Sequence, residues 1–399
     1  MAGLAQADHL VPLGRTGWSL WREAALRSAG FPADRFTEIC DEELAVAADQ
    51  LDDAVPGDRE RYVKVFAAAT DRLTQAIRRT AAEPAFREAV TWQNPGLVGD
   101  CLDKAAAGEP RNVRGRYHEL TIATYLQRYC LKNDTVGFFG PVGWAAIGPE
   151  DSGVAVRPGP HLLARRTTYF ETWTIDTLAA VIAARPDVWP WLRPAVEPSA
   201  VIAGSVLRLP FRRPVPLPPI DLRVLGQCDG RHTVRDIAGD PPDPAAIAAL
   251  LRLRESGAIR TDLHGPSGPW PERRLAERIA AIGDATVRAG AQAPLDELVA
   301  ARDAVSAAAG NPARLEAACR GLADSFERLT GTAATRRPGR AYAGRTLVYE
   351  DTLRAGDVHI GRLGTDRLAA PLGLLLDSAV WLANTVADRF EQLARQVLE

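Results

Sequence analysis

The sequence is nearly without lysine: Lys64, Lys104 and Lys132 are the three, against 45 arginines. On composition alone this is the codon bias of a GC-rich genome, although arginine also forks carboxylates and phosphates in a way lysine cannot. Cysteine is scarce too. Cys40, Cys101, Cys130, Cys228 and Cys319 are far apart, odd in number and form no C-x-x-C pair. That excludes the usual zinc spacings and a disulfide framework, and fits reduced thiols. The six histidines never form H-E-x-x-H, so no metal is expected. No P-loop, dinucleotide fingerprint or nucleophile elbow occurs, and no bound cofactor is expected. The start has no apolar secretion signal, and no run of consecutive apolar residues approaches the ~18 of a membrane helix. A net charge of -2 gives no global pull toward nucleic acid or membrane, so any basic surface is local. These absences predict a soluble, cytoplasmic protein with no membrane partner.

What remains reads as α+β, and 399 residues imply two or three packed units. We expect a helix-rich part over 1–200, a small recognition subdomain over 201–265 and a helical continuation with one strand over 266–399. Residues 16–30, "TGWSLWREAALRSAG", are expected as a helix from a Thr cap to Gly30. "DEELAVAADQLDDAV" and "ERYVKVFAAATDRLTQAIRRTAA" repeat apolar residues at helical spacing. A helix over about 115–132 would stack Arg128 and Lys132, one turn apart, on one face. "VGWAAIGP" and "SGVAVRPG" read as short strands, and "RRTTYFETWTID" alternates before a helix at "TIDTLAAVIAARP". "PERRLAERIAAIGDATVRAG", "LDELVAARDAVSAAAG" and "ARLEAACRGLADSFERLTG" are helical, "LVYEDTL" is a strand, and a helix runs to the end.

Residues 201–265 are the most readable part. A hairpin-like "VIAGSVLRLPFRRPVPL" precedes three helices: one carrying Leu222, Val224 and Leu225, one capped by Thr233, and one opened by Pro244 and closed by Gly257. "AIRT" leaves as a strand. Three short helices between strands predict a winged helix. That fold reads DNA with its third helix, or adds an extended peptide to a sheet edge, or serves only as filler. The third helix, "PDPAAIAALLRLRESG", lacks Arg, Lys, Asn or Gln at its N-terminal end, where bases would be read. Peptide docking is therefore favoured over DNA, with Arg208, Arg235, Leu250 and Leu253 as the expected contacts.

The stretch "LKNDTVGFFGPVG" sets a charged cluster against two phenylalanines among glycines. With "ALRSAGFP", "WTID" and "LVYEDTL" in that order, and with "CDGRHTVRDIA" resembling the signature of leader-peptide recognition domains, the chain resembles the N-terminal region of class I lantibiotic dehydratases. The resemblance implies glutamylation of Ser/Thr in a precursor peptide by glutamyl-tRNA as cosubstrate, with the winged helix holding the leader. It carries over Arg27, Arg128, Lys132, Asp134 and Asp176 as site residues, with Glu350 or Asp351 as a later acid. Arg111, Arg114 and Arg116, near a single acid at Glu119, suit contact with tRNA phosphates. Phe138 and Phe139 would fix the glycine turn or stack on the terminal adenine.

The chain departs from the family at Lys132, where arginine is usual, and at Asp134-Thr135, where Thr-Pro is usual. Asp134 is equally read as a turn residue bonding its own backbone, and Asp176 as an N-cap. Arg165-Arg166 reads as a solvated pair, and His118 and His232 as lone structural or exposed histidines. The rest of the family's glutamylation region and its elimination domain have no counterpart in the sequence. That leaves two alternatives open: a leader-binding adaptor for a partner enzyme supplying the missing part, or a portion of a related peptide aminoacyl-tRNA ligase.

Overall fold

The computed structural model describes residues 8–52, 54–133, 137–261, 263, 265, 268–336 and 346–398. Strands β1 (Leu10–Pro12), β2 (Ser19–Trp21) and β3 (Glu23–Arg27) open it. Helices α1 (Glu42–Asp49), α2 (Asp58–Ala82), α3 (Pro84–Gln93), α4 (Asp103–Ala106) and α5 (Val113–Leu131) follow. Strands β4 (Val142–Ile147) and β5 (Val154–Phe170) lead into α6 (Thr172–Ala183). Short strands β6 (Ala195–Val196), β7 (Val201–Ala203), β8 (Val206–Arg208) and β9 (Val215–Pro216) precede α7 (Pro219–Leu225), α8 (Val234–Ala238) and α9 (Pro244–Ser256). Then come β10 (Ile259–Arg260), α10 (Pro271–Ala280), α11 (Ala285–Ala308), α12 (Pro312–Thr330), β11 (Val348–Ile360) and α13 (Arg362–Leu398). The mixed α+β character matches the sequence expectation.

The chain forms two compact units, each assembled from separated stretches. The first comprises Met1–Arg78, Arg111–Thr167 and Asp351–Glu399, and the second Arg79–Pro110 and Thr168–Glu350.

In the first unit the sheet order is β3-β4-β11-β5, with β3 antiparallel and β11 parallel to β4. Here the expected helix over 16–30 is overturned: the segment is β2 and β3, and Leu26 and Arg27 sit opposite Gly143 and Val142. Its Ala, Glu, Arg and Leu favour helix locally, but half-buried residues alternate along β3, and pairing with β4 overrides propensity. Helix α5 starts at an Asn112 cap whose side chain accepts from the Arg114 and Gly115 amides. It buries His118, Ile122, Leu126, Tyr129 and Cys130. The region around "SGVAVRPG" and "RRTTYF" is one long strand, β5, rather than separate pieces.

The second unit packs α3, α6, α10, α11 and α12 together, with Phe86, Leu178, Ile279, Leu295 and Phe326 fully or almost fully buried. Arg302 is buried with them, bonded to Glu272 at 3.2 Å and lying over the Phe170 ring. Beside this layer sits the segment expected as three helices between strands, and its boundaries fall where the caps predict. Thr233 and Asp236 form a reciprocal capping box, Pro244 is the first residue of α9, and Gly257 closes it in the left-handed region. Asp221 is buried and bonded to Arg252 at 2.5 Å, tying α7 to α9. Strands β7, β8 and β9 form an antiparallel sheet, and β10 pairs with β6.

Helix α13 belongs to the first unit, and over Arg362–Gln396 it is long and apolar enough to cross a membrane by length and composition alone. The sequence reading missed this because it counted unbroken apolar runs. Here Asp377, Ser378, Asn384 and Thr385 interrupt the run without removing the average hydropathy.

Candidate functional site

The aromatic turn at 137–141 is built from residues distant in sequence. The Gly30 amide donates to the Phe139 carbonyl at 3.1 Å, and the Phe31 amide to the Tyr129 carbonyl at 3.3 Å. The Thr352 hydroxyl donates to the Gly137 carbonyl at 2.7 Å, and the Ser28 hydroxyl to that of Pro141 at 3.2 Å. Phe138 and Phe139 are both buried and meet Phe31 and Tyr129, with Tyr129 and Phe139 centroids 4.9 Å apart. Of the two expected roles for these phenylalanines, fixing the turn fits. Stacking on an incoming base does not, because neither ring face is open. Gly30 is required by space: a Cβ there would lie 2.2 Å from the Phe138 carbonyl oxygen.

Cations gather around this turn. The Arg166 guanidinium lies 5.2 Å over the Phe138 ring and is half-buried, whereas Arg165 is exposed. Arg354 donates to the Ser28 hydroxyl at 2.9 Å and to the Ala29 carbonyl at 3.4 Å. Arg27 ends β3 opposite Val142, at the sheet end next to Ser28. Arg128 is half-buried in the last turn of α5. Lys132 is a correction to the expected helix. It is the extended cap beyond α5, exposed, so the one-turn stack on a helical face stops at Arg128. Asp134 lies outside the described residues. Arg166 and Arg354 were missed by sequence reasoning. Arg354 follows the "LVYEDTL" motif directly, and only the β11–β4 register shows that it reaches the "RSAG" segment.

The other expected residues fall as follows. Asp351 is exposed on β11, while Glu350 before it is buried. Asp176 belongs to the second unit and is not a cap: Glu171 precedes α6, and Asp176 is its fifth residue. Arg111 and Arg116 line a cleft of about 310 Å³ in the first unit with Phe66, Thr74 and Leu120. Glu119 in that cleft takes Arg111 at 2.8 Å and so offsets part of its charge, while Arg114 stays exposed.

In the three-helix segment Leu250 and Leu253 are corrected. They are 0% and 1% exposed, inside a core with Leu207, Val224 and Ile259, and offer no surface to a peptide. Helical periodicity put them on one face but could not tell a groove from a core. Their neighbour Leu251 is 41% exposed. Arg208 is exposed on β8, and Arg235 is exposed with its guanidinium 5.6 Å from the Trp191 ring. Trp191 lines a cleft of about 600 Å³ with Arg193, Arg260, Arg278 and Glu277. His118 is buried, and His232 is exposed beside Asp229 at 3.1 Å.

Among the described residues no cluster of His, Cys, Asp and Glu could hold a metal ion. All five cysteines are thiols rather than disulfides. Burial pushes Cys101 and Cys228 up to about 11 and Cys319 up to about 12, so these three stay protonated at neutral pH and are poor nucleophiles.

Residues 82–377 match the family described as lantibiotic dehydratase, N terminus. No curated protein sequence matches the chain. Its fold is similar to the tRNA-dependent lantibiotic dehydratase MibB from Microbispora sp. 107891, with a TM-score of 0.58 and 18% identity. That likeness covers 75% of this chain and 29% of MibB. It is also similar to the glutamylation domain TbtB from thiomuracin biosynthesis, with a TM-score of 0.56 and 17% identity over 86% of this chain and 50% of that one. The same domain bound to 5'-phosphodesmethylglutamycin gives 0.54 and 18% over 84% and 49%. The chain thus spans half or less of the length of each of these structures. With three quarters of its residues inside one family match, the chain belongs to the lantibiotic dehydratase N-terminus family.

Proposed function

We propose that this chain takes part in transferring glutamate from glutamyl-tRNA to Ser/Thr hydroxyls of a ribosomally made precursor peptide. The observation that carries the reading is the group of arginines, Arg27, Arg128, Arg166 and Arg354, around the buried aromatic turn. A glutamyl-tRNA end brings a side-chain carboxylate, an ester and phosphates, and guanidinium forks suit the anions among them. In the reaction the peptide hydroxyl oxygen attacks the ester carbonyl. A new glutamyl ester forms, the bond to the tRNA ribose oxygen breaks, and the hydroxyl proton ends on that oxygen. The arginines steady the developing oxyanion, and Asp351, exposed on β11, is placed as the proton acceptor. The reaction would run in the cytoplasm, where charged tRNA and reduced thiols coexist.

The segment at 201–265 is proposed to be a winged helix that holds the leader. Its α7–α9 between strands suit peptide addition, and the arginine-rich cleft beside Arg235 and Trp191 suits an acidic leader segment. The same cleft also suits a second reading, a leader-binding adaptor for a partner enzyme.

The test is to incubate the chain with glutamyl-tRNA and a Ser/Thr-rich precursor and weigh the peptide, with Arg354→Ala and Arg128→Ala beside it. We expect glutamyl adducts that fall about a hundredfold in either variant, as for loss of one oxyanion donor. If the peptide gains no mass, with or without the remaining half of the glutamylation domain added, the transfer reading fails and the adaptor stands. A fluorescent leader peptide then decides the second site, since Arg235→Glu is expected to weaken its binding.

A further inference from the structure

The sheet β7-β8-β9 has two outer strands, and the sequence treats their edges differently. The Leu217 amide donates to the Ser205 carbonyl at 2.7 Å, which fixes the alternation along β9. Leu217 and Val215, the latter opposite Leu207, turn their amides toward β8, so residues 214 and 216 turn outward. Both are proline and carry no N–H. The edge of β9 therefore offers carbonyls and no donors, and its prolines are tolerated because that side makes no ladder bonds.

The same alternation runs across β8 to β7. Val206 faces Ala203 and Arg208 faces Val201 as bonded pairs, while Ile202, opposite Leu207, turns its N–H and C=O away from β8. Apart from its shortness, β7 has none of the features that blunt an edge: it holds no proline, no charge and no bulge. Among the described residues it has no strand on its far side, and Val201 and Ile202 are 59% and 39% exposed.

We propose that an extended acidic peptide adds as a strand to the edge of β7 and not to that of β9. The Ile202 backbone supplies one donor and one acceptor, which set the register. Side chains then select the peptide. Val201 and Arg208 are directly paired and so share the outer face of the sheet. A Glu or Asp on that face of the added strand would stand beside Val201, about 10 Å or two strand spacings from β8, a gap that it and Arg208 span together. Arg208, Arg212 and Arg213 are the only charged residues between Glu197 and Asp221. That one-sided charge disfavours a second copy, whose β7 would bring the same arginines. Nucleic acid suits the arginines, but its phosphates have no donor for the Ile202 carbonyl. The inference rests on the leader reading given above and deepens it by naming the edge that takes the strand.

A fluorescein-labelled leader peptide of the precursor is titrated with the full chain and with two variants. Ile202→Pro removes the outward donor without removing a bond to β8, copying onto β7 what Pro216 does on β9. Pro216→Ala gives β9 a donor back. We expect Ile202→Pro to weaken binding about tenfold, as for loss of one hydrogen bond, and Pro216→Ala to leave it unchanged. Hydrogen exchange in the unaltered chain gives a second readout: bound peptide should slow the Ile202 amide and leave Val215 and Leu217 as they were. No peptide binding by the unaltered chain would remove the leader reading and the edge assignment together. Undiminished binding to Ile202→Pro, or a peptide that protects β9 instead, would overturn the edge assignment alone. So would slowing of the Ile202 amide by uncharged tRNA in place of the peptide, or a dimer of the unaltered chain that Ile202→Pro splits.

Discussion

The turn at 137–141 and the three-helix segment at 219–260 are held by opposite means. Gly137, Phe139 and Pro141 accept hydrogen bonds from Thr352, Gly30 and Ser28, each more than a hundred residues away. The helices α8 and α9 are fixed at their ends by caps three residues or fewer away: Thr233 with Asp236, Asp243 with Ala245, and Gly257 behind Arg254. The turn is therefore a place where three stretches of chain must be correct together, and the helices a place where each piece is correct by itself. Substitutions should behave accordingly, and amide exchange can follow each unit separately in one protein.

The largest effect is expected at Gly30→Ala. The new Cβ would lie 2.2 Å from the Phe138 carbonyl oxygen and 2.5 Å from the Phe139 Cα, both backbone-positioned, so the turn must move away as a whole. Overpacking of this kind costs about 3 kcal/mol, and it should speed exchange at Phe139, Tyr129 and Thr352 while sparing α8 and α9. Exchange unchanged around the turn would show that its geometry does not depend on Gly30.

Thr233→Ala should cost less, about 1 kcal/mol, because it removes a cap hydrogen bond at an exposed helix end. Loosening should stay within 229–260, and the chemical denaturation midpoint of the first unit should not shift. If the turn at 137–141 loosens as well, the two regions are coupled and the contrast drawn above is wrong.

The same contrast explains what was legible in the sequence. The boundaries of α8 and α9 were written in Thr233, Pro244 and Gly257, since capping chemistry is local. Residues 16–30 misled because their helix propensity is real and loses only to β4, over a hundred residues downstream. Leu250 and Leu253 misled in another way: spacing gives the face of a helix, and only packing against Leu207 and Ile259 decides that the face is interior. In the candidate site Arg27 and Arg128 were named from motif order. Arg166 and Arg354 were not, because their value comes from a strand register and from a ring beneath a guanidinium, neither of which has a sequence spacing. Lys132 was placed one residue too far into α5, at a helix end where the chain turns extended.

Acid should separate the two regions with the smallest perturbation. The Asp229 carboxylate accepts from the Arg231 and His232 amides and from the His232 ring, and these bonds hold it at about 2, below its ordinary 3.8. Asp236 in the capping box is lowered as well, chiefly by the Thr233 amide. A carboxyl depressed in the folded state contributes stability that is present above its unfolded value and is lost as pH falls through the folded one. The helix starts at 229–238 should therefore weaken between about pH 4 and pH 2. The turn at 137–141 is bonded through amides, hydroxyls and the Arg354 guanidinium, none of which titrates in that window. Carboxyl carbon NMR on the full chain checks this: the Asp229 midpoint should lie near 2, with α8 resonances shifting alongside and Phe138 and Phe139 resonances still. An Asp229 midpoint at the ordinary 3.8 would mean that its amide bonds are not kept in solution. Movement of the phenylalanines with it would mean that local caps and distant contacts do not form separable supports.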